Sequence, residues 1–183
     1  MFIQTEATPN PATLKFLPGQ PVVKGAPRDF RSIEEAAISP LARNLFEVQG
    51  VAGVFLGGDF ITVTKAEGDW QSLKPAILGV IMDHYLSGVA AIEDGSSEKT
   101  EESFDPADSG IVDTIKELLD TRVRPAVAQD GGDITFHGFR EGIVYLNMKG
   151  SCAGCPSSTA TLKHGIENLL RHFIPEVTEV RPV

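Results

Sequence analysis

The sequence is short of basic residues. Sixteen Lys and Arg stand against 25 Asp and Glu, a formal net charge of −9. Nucleic-acid binding depends on neutralising phosphates, and no basic stripe offsets the deficit, so no nucleic-acid partner is expected. Long apolar runs are missing too. No segment approaches the roughly twenty apolar residues of a membrane span, so no membrane association is expected. The opening residues, MFIQTEATPNP, lack a basic region, and the first arginine is Arg28. Neither a secretory signal nor a mitochondrial presequence is expected at this end. A cytoplasmic protein of the bacterial kind is the default, with the mitochondrial matrix the alternative for a mature eukaryotic form. No nucleophile–base arrangement and no phosphate-binding glycine loop is present, so the chain is not expected to be an enzyme. Cysteine is scarce, with two among 183 residues. In a reducing compartment such a pair is expected to bind metal or do redox work rather than form a structural disulfide.

What is present is ordinary for a soluble globular chain: 42% hydrophobic and 22% charged residues. The stretch Glu93–Gly110, EDGSSEKTEESFDPADSG, is rich in Ser, Asp and Glu, and Phe104 is its one large apolar residue. It cannot bury enough surface to offset the cost of ordering, and its acids repel one another. It is expected to be a flexible acidic linker over 93–110, between one domain at 1–92 and a second at 111–183 that move independently.

The first domain reads as β-β-α-β-β-α. Phe2–Glu6 and Thr13–Leu17 are strand-like around the turn residues Pro9, Asn10 and Pro11. Ser39 before Pro40 starts a helix carrying Leu41, Leu45 and Val48 until Gly50. Val51–Leu56 and Phe60–Lys65 form a hairpin. Leu73, Ile77 and Ile81 mark a helix from Trp70 to about Ser87. The second domain reads as α-β-β-α-β. Its first helix carries Ile111, Ile115, Leu118, Leu119 and Val123 on one face. The Asp130-Gly131-Gly132-Asp133 turn, read as structural, leads into a strand with Ile134 and Phe136. Glu141-Gly142 turns that strand back into Val144, Leu146 and Met148. A last helix carries Leu162, Ile166, Leu169, Leu170 and Phe173 and stops at Pro175, and Val177–Val180 adds a final strand. The fold class is α+β, with helices packed on one small sheet in the second domain.

The motif Gly150-Ser151-Cys152-Ala153-Gly154-Cys155-Pro156 falls between a strand and a helix, with Pro156 suited to the first helical position and Cys155 to the cap. Unpaired backbone N–H groups and the positive end of the helix dipole favour thiolate there. Three readings compete. A thioredoxin-like dithiol would make the chain a thiol–disulfide oxidoreductase, but that fold calls for a βαβ unit where a hairpin precedes this motif. Zinc wants four closed ligands and one CxxC supplies two. An iron–sulfur cluster also wants four thiolates. Two copies of the chain provide four, so either metal reading requires a dimer at Cys152 and Cys155. His84, His137, His164 and His172 are scattered and form no ligand cluster.

The run RPAVAQDGGDITFHG over 124–138, then GSCAGCPSS and the TLKHGIENLLR helix, resembles the C-terminal domain of NifU, shared by the Nfu proteins, over about Ser109–Val183. TPNPATLKF with GVAGVFLGGDFITVTK and the following helix resembles the Nfu N-terminal domain over about Met1–Ala91. The cysteine-rich scaffold and ferredoxin regions of full-length NifU are absent. The resemblance implies an iron–sulfur cluster scaffold or carrier. Cys152 and Cys155 of two protomers would share one 4Fe–4S cluster, received from upstream cluster-assembly proteins and passed to recipient apoproteins. It also implies a homodimer when the cluster is bound and a partner-recognition role for the N-terminal domain.

Overall fold

The computed structural model describes residues 2–93, 102–150 and 156–183. The chain divides into two compact units, Met1–Ser97 and Glu98–Val183, each α+β.

The first unit is a five-stranded antiparallel sheet of order β1-β2-β5-β4-β3, built from β1 (Gln4–Ala7), β2 (Thr13–Leu17), β3 (Arg28–Phe30), β4 (Val51–Leu56) and β5 (Ile61–Lys65). Helices α1 (Pro40–Phe46) and α2 (Trp70–Ser87) join Phe16, Phe30, Val54, Leu56, Ile61 and Val63 in one core through Leu41, Leu45, Leu73, Ile77 and Ile81. Ser39 caps α1, its Oγ accepting the Ala42 N–H at 3.0 Å with Pro40 at the first helical position. Asp69 caps α2 by accepting the Ser72 N–H at 2.8 Å, and Gly88, at φ 70°, ends it. β3 was not expected. Three residues are too few for an alternating pattern to stand out, although Arg28 and Phe30 are both buried.

The second unit is a four-stranded mixed sheet of order β6-β7-β8-β9, with β6 (Ser103–Phe104), β7 (Gly132–Arg140), β8 (Ile143–Gly150) and β9 (Glu179–Pro182). β7 and β8 are an antiparallel hairpin, and β6 and β9 run parallel to their neighbours on either side. Of the expected linker at 93–110, residues 94–101 lie outside the described residues, and the part from Ser103 on carries regular structure. Ser103–Phe104 is a strand, Pro106–Asp108 a 3-10 turn capped by Asp105, and α3 (Ser109–Leu118) begins two residues before Ile111. Phe104 accounts for this: it packs on the second core, its ring centroid 6.2 Å from that of Phe136.

The helical segment expected to carry Ile111 to Val123 runs on beyond them. A π-helical segment, Leu119–Val123, leads into α4 (Arg124–Gln129). Pro125 lacks an N–H, and its ring crowds the carbonyl one turn back, so the regular ladder cannot pass through it. Val112, Ile115, Leu118, Leu119, Val123 and Val127 meet Ile134, Phe136, Phe139, Val144, Leu146 and Met148 in one core. The final helix, α5 (Pro156–Phe173), places Ile166 and Leu170 there. The expected stripe is wrong at its end: Phe173 is 45% exposed, and Ile174, four residues after Leu170, is buried instead.

Candidate functional site

Cys152 and Cys155 lie outside the described residues, and the framework on either side of them is well defined. β8 ends at Gly150, in the left-handed region at φ 68°, and α5 begins at Pro156. The cysteine pair therefore belongs to the 151–155 connection between a central strand and an 18-residue helix. The first N–H groups of a helix have no partners within it, so they are available to an anionic group nearby.

The hairpin register brings a second sequence feature to the same place. Gly132 pairs with Gly150, and Asp133 with Lys149. The Asp130–Asp133 turn, with Gly131 at φ 82°, thus abuts the strand end that leads into the cysteines. Asp133 is nearly buried, its side chain 7% exposed. Arg124, at the start of α4, grips it with two donors: Nε to Oδ1 at 2.9 Å and Nη2 to Oδ2 at 3.0 Å. Its remaining arm, Nη1, donates to Asp120 Oδ1 at 3.0 Å. The paired carboxylates, Asp133 foremost, hold the guanidinium well above its ordinary pKa, so it stays charged at any working pH. Lys149, beside Asp133 in the hairpin, is also buried.

The four histidines are spread over both units. His137 occupies a bulge in β7, where the register shifts between Phe136 and Gly138. His164 and His172 lie exposed on α5. His84 is in the first unit, where burial lowers its pKa. Among the described residues no group of three or more His, Cys, Asp and Glu side chains could hold a metal ion. The Arg124–Asp133 pair was not foreseen, because ion pairs nine residues apart leave no periodic signal. The register of the hairpin brings it beside the strand end at Gly150.

Among the described residues no helix is long and apolar enough to cross a membrane. The family model for the scaffold protein Nfu/NifU N terminal matches residues 3–88, and that for the NifU-like domain matches residues 115–181. The chain is 52% identical, along its whole length, to "NFU1 iron-sulfur cluster scaffold homolog, mitochondrial" of Drosophila virilis, of which it covers 62%. It is 51% identical, again along its whole length, to the protein of the same name from Homo sapiens, of which it covers 72%. A solution NMR structure of a NifU-like protein from Saccharomyces cerevisiae matches 52% of this chain and 87% of that one, at 27% identity and a TM-score of 0.47. The chain thus spans somewhat less than two thirds of the fly relative's length. With both family models matched in order and half of all positions shared with these relatives, the chain belongs to the Nfu family of scaffold proteins.

Proposed function

We propose that the protein is an iron–sulfur cluster scaffold and carrier, in which Cys152 and Cys155 of two protomers hold one 4Fe–4S cluster as cargo for delivery to apoproteins. The observation that carries this reading is the whole-chain similarity to proteins named as iron–sulfur cluster scaffolds. The framework is compatible with it. The cysteine pair sits between Gly150 and the Pro156 start of α5, where thiolates are favoured. Two thiolates per chain against four required for a cluster call for a homodimer at the site. Such an interface also suits transfer, because separating the protomers or exchange with incoming thiolates frees the cargo. Cluster-assembly proteins would load it and recipient apoproteins would take it, with the first unit serving partner recognition. The mitochondrial names of the relatives favour the matrix as its working compartment.

Anaerobic reconstitution tests this. The expected product is a brown protein with about four irons and four sulfides per dimer, its mass in solution that of two chains. Cys152→Ser and Cys155→Ser should each abolish stable uptake, and unchanged uptake in either would sink the assignment. Strong dithiol turnover by metal-free protein that takes up no cluster would point to an oxidoreductase. Zinc in protein purified without oxygen would point to a structural metal dimer.

A further inference from the structure

One edge of the second sheet is built to receive an extended segment, and the chain fills it with residues of its own. β6 pairs with β7 in parallel over two positions, Ser103 with Gly138 and Phe104 with Phe139. Glu102, just before the strand, and Phe104 are two residues apart, the spacing that puts side chains on one side of an extended chain. Both meet the same cation. The Lys116 ammonium, on α3, pairs with the Glu102 carboxylate and lies 6.0 Å from the Phe104 ring centroid and 5.6 Å from that of Phe136. The Phe104 ring is edge-on to Phe136, with centroids 6.2 Å apart. Ser103 contributes its backbone, which lies against Gly138 where a side chain would block it.

Nothing in this arrangement depends on the segment belonging to the same chain. The strand edge at Gly138 accepts the main chain, Phe136 a ring, and Lys116 a carboxylate two residues before that ring. Main-chain bonds to a sheet edge, with places for alternate side chains, are how extended peptides are recognised. The hold on β6 is also slight. Its pairing spans two residues, Ser103 is exposed and Phe104 is half-buried. The Glu102 and Lys116 side chains are 34% and 36% exposed. Segments with few buried contacts open locally, at far lower cost than the core.

We infer that this edge is a docking seat for an extended segment of a partner protein, one with a carboxylate two residues before an aromatic ring, and that Glu102–Phe104 occupies the seat until such a segment displaces it. Charge selects the occupant. A basic residue in place of the acid would face the Lys116 ammonium, and an apolar one would leave it unpaired. The ring position adds a second requirement, because a cation beside two aromatic rings is attracted to both. This goes beyond the scaffold reading and does not rest on it, since no cluster takes part.

The test uses the full chain and the capped peptide ESFDPA, the sequence of residues 102–107. Binding is read from the amide chemical shifts of Gly138 and Phe139. Phe104→Ala removes the ring from the chain's own segment and leaves the seat intact. It should bind the peptide on the order of tenfold more tightly than wild type, because the competing occupant no longer holds the seat. Adding Lys116→Gln should remove most of that gain, and the ringless peptide ESADPA should bind neither protein. Equal affinity of wild type and Phe104→Ala, or equal binding of the two peptides, overturns the inference. Hydrogen exchange of the wild type supplies a readout that no variant can spoil. The Phe104 amide should exchange on the order of a hundredfold faster than that of Val144. A common rate would mean that β6 opens only with the whole unit, and it overturns the inference as well. A wild type that dimerises with rising concentration, and is returned to monomer by the peptide, would give the seat to a second copy of the chain and overturn the partner assignment.

Discussion

Gly138 lies against the backbone of Ser103 so closely that a Cβ on it would stand 2.6 Å from the Ser103 carbonyl oxygen. The two residues are partners in the parallel β6–β7 pairing. The absence of a side chain at 138 is what lets the short strand seat itself, and with it Phe104 against Phe136. Lys116, paired with Glu102, lies with its ammonium 5.6 Å from the Phe136 ring centroid and closes the same corner. The second unit therefore begins before its first long helix.

Gly138→Ala should cost about 1–3 kcal/mol, because the clash is with backbone and cannot be relieved by a rotamer change. Denaturant unfolding measures it. Amide protection at Ser103 and Phe104 should fall first. A variant as stable as wild type would show that β6 contributes nothing to the unit.

The same strand shows where sequence reading succeeds and where it stops. Ile134 and Phe136 alternate, as do Val144, Leu146 and Met148, and all five are core. Phe139 breaks the alternation and is core as well, because the bulge at His137 inserts one residue and returns the next aromatic to the inner face. Local chemistry was legible: Ser39-Pro40 starts α1, and α2 runs from Trp70 to Ser87 as its spacing predicts. Two-residue β6 and three-residue β3 are too short for a period. The Arg124–Asp133 pair exists only once the helical segment and the hairpin have packed, so no local pattern announces it. The cysteine motif draws attention through its residue types alone, and Cys152 and Cys155 lie outside the described residues.

Ser39→Ala should destabilise the first unit by about 1–3 kcal/mol. The hydroxyl is fully buried and has two tasks: it accepts the Ala42 N–H and donates to the Ala91 carbonyl oxygen, tying the start of α1 to the segment after α2. Alanine leaves both groups without that partner. Thermal unfolding of the variant should show the loss in the first unit, and an unchanged transition there would contradict the capping role.

Glu141→Asn should stabilise the second unit by about 0.5–1 kcal/mol. Glu141 sits at φ 52° and Gly142 at φ 80° in the two-residue turn between Arg140 and Ile143. Asn-Gly is the sequence this turn prefers, since asparagine tolerates the left-handed region better than glutamate. Gly142→Ala should do the opposite, because its Cβ would stand 2.8 Å from the Glu176 carbonyl oxygen. Urea midpoints of the two variants should move in opposite directions from wild type.

His84 makes the stability of the first unit depend on pH. Its side chain is buried on α2, edge-on to the Tyr85 ring, and desolvation holds its pKa below the ordinary value of 6.5. The folded state therefore resists protonation that the unfolded chain accepts. The stability that neutral His84 supports is complete above about pH 6.5 and is lost as pH falls from there through the lowered folded pKa. Denaturant midpoints of the first unit should fall between pH 7.5 and pH 5. In His84→Gln, which cannot take up the proton, that part of the slope should vanish whatever the substitution costs at pH 7.5. A slope identical in the two proteins would assign the pH dependence to other groups.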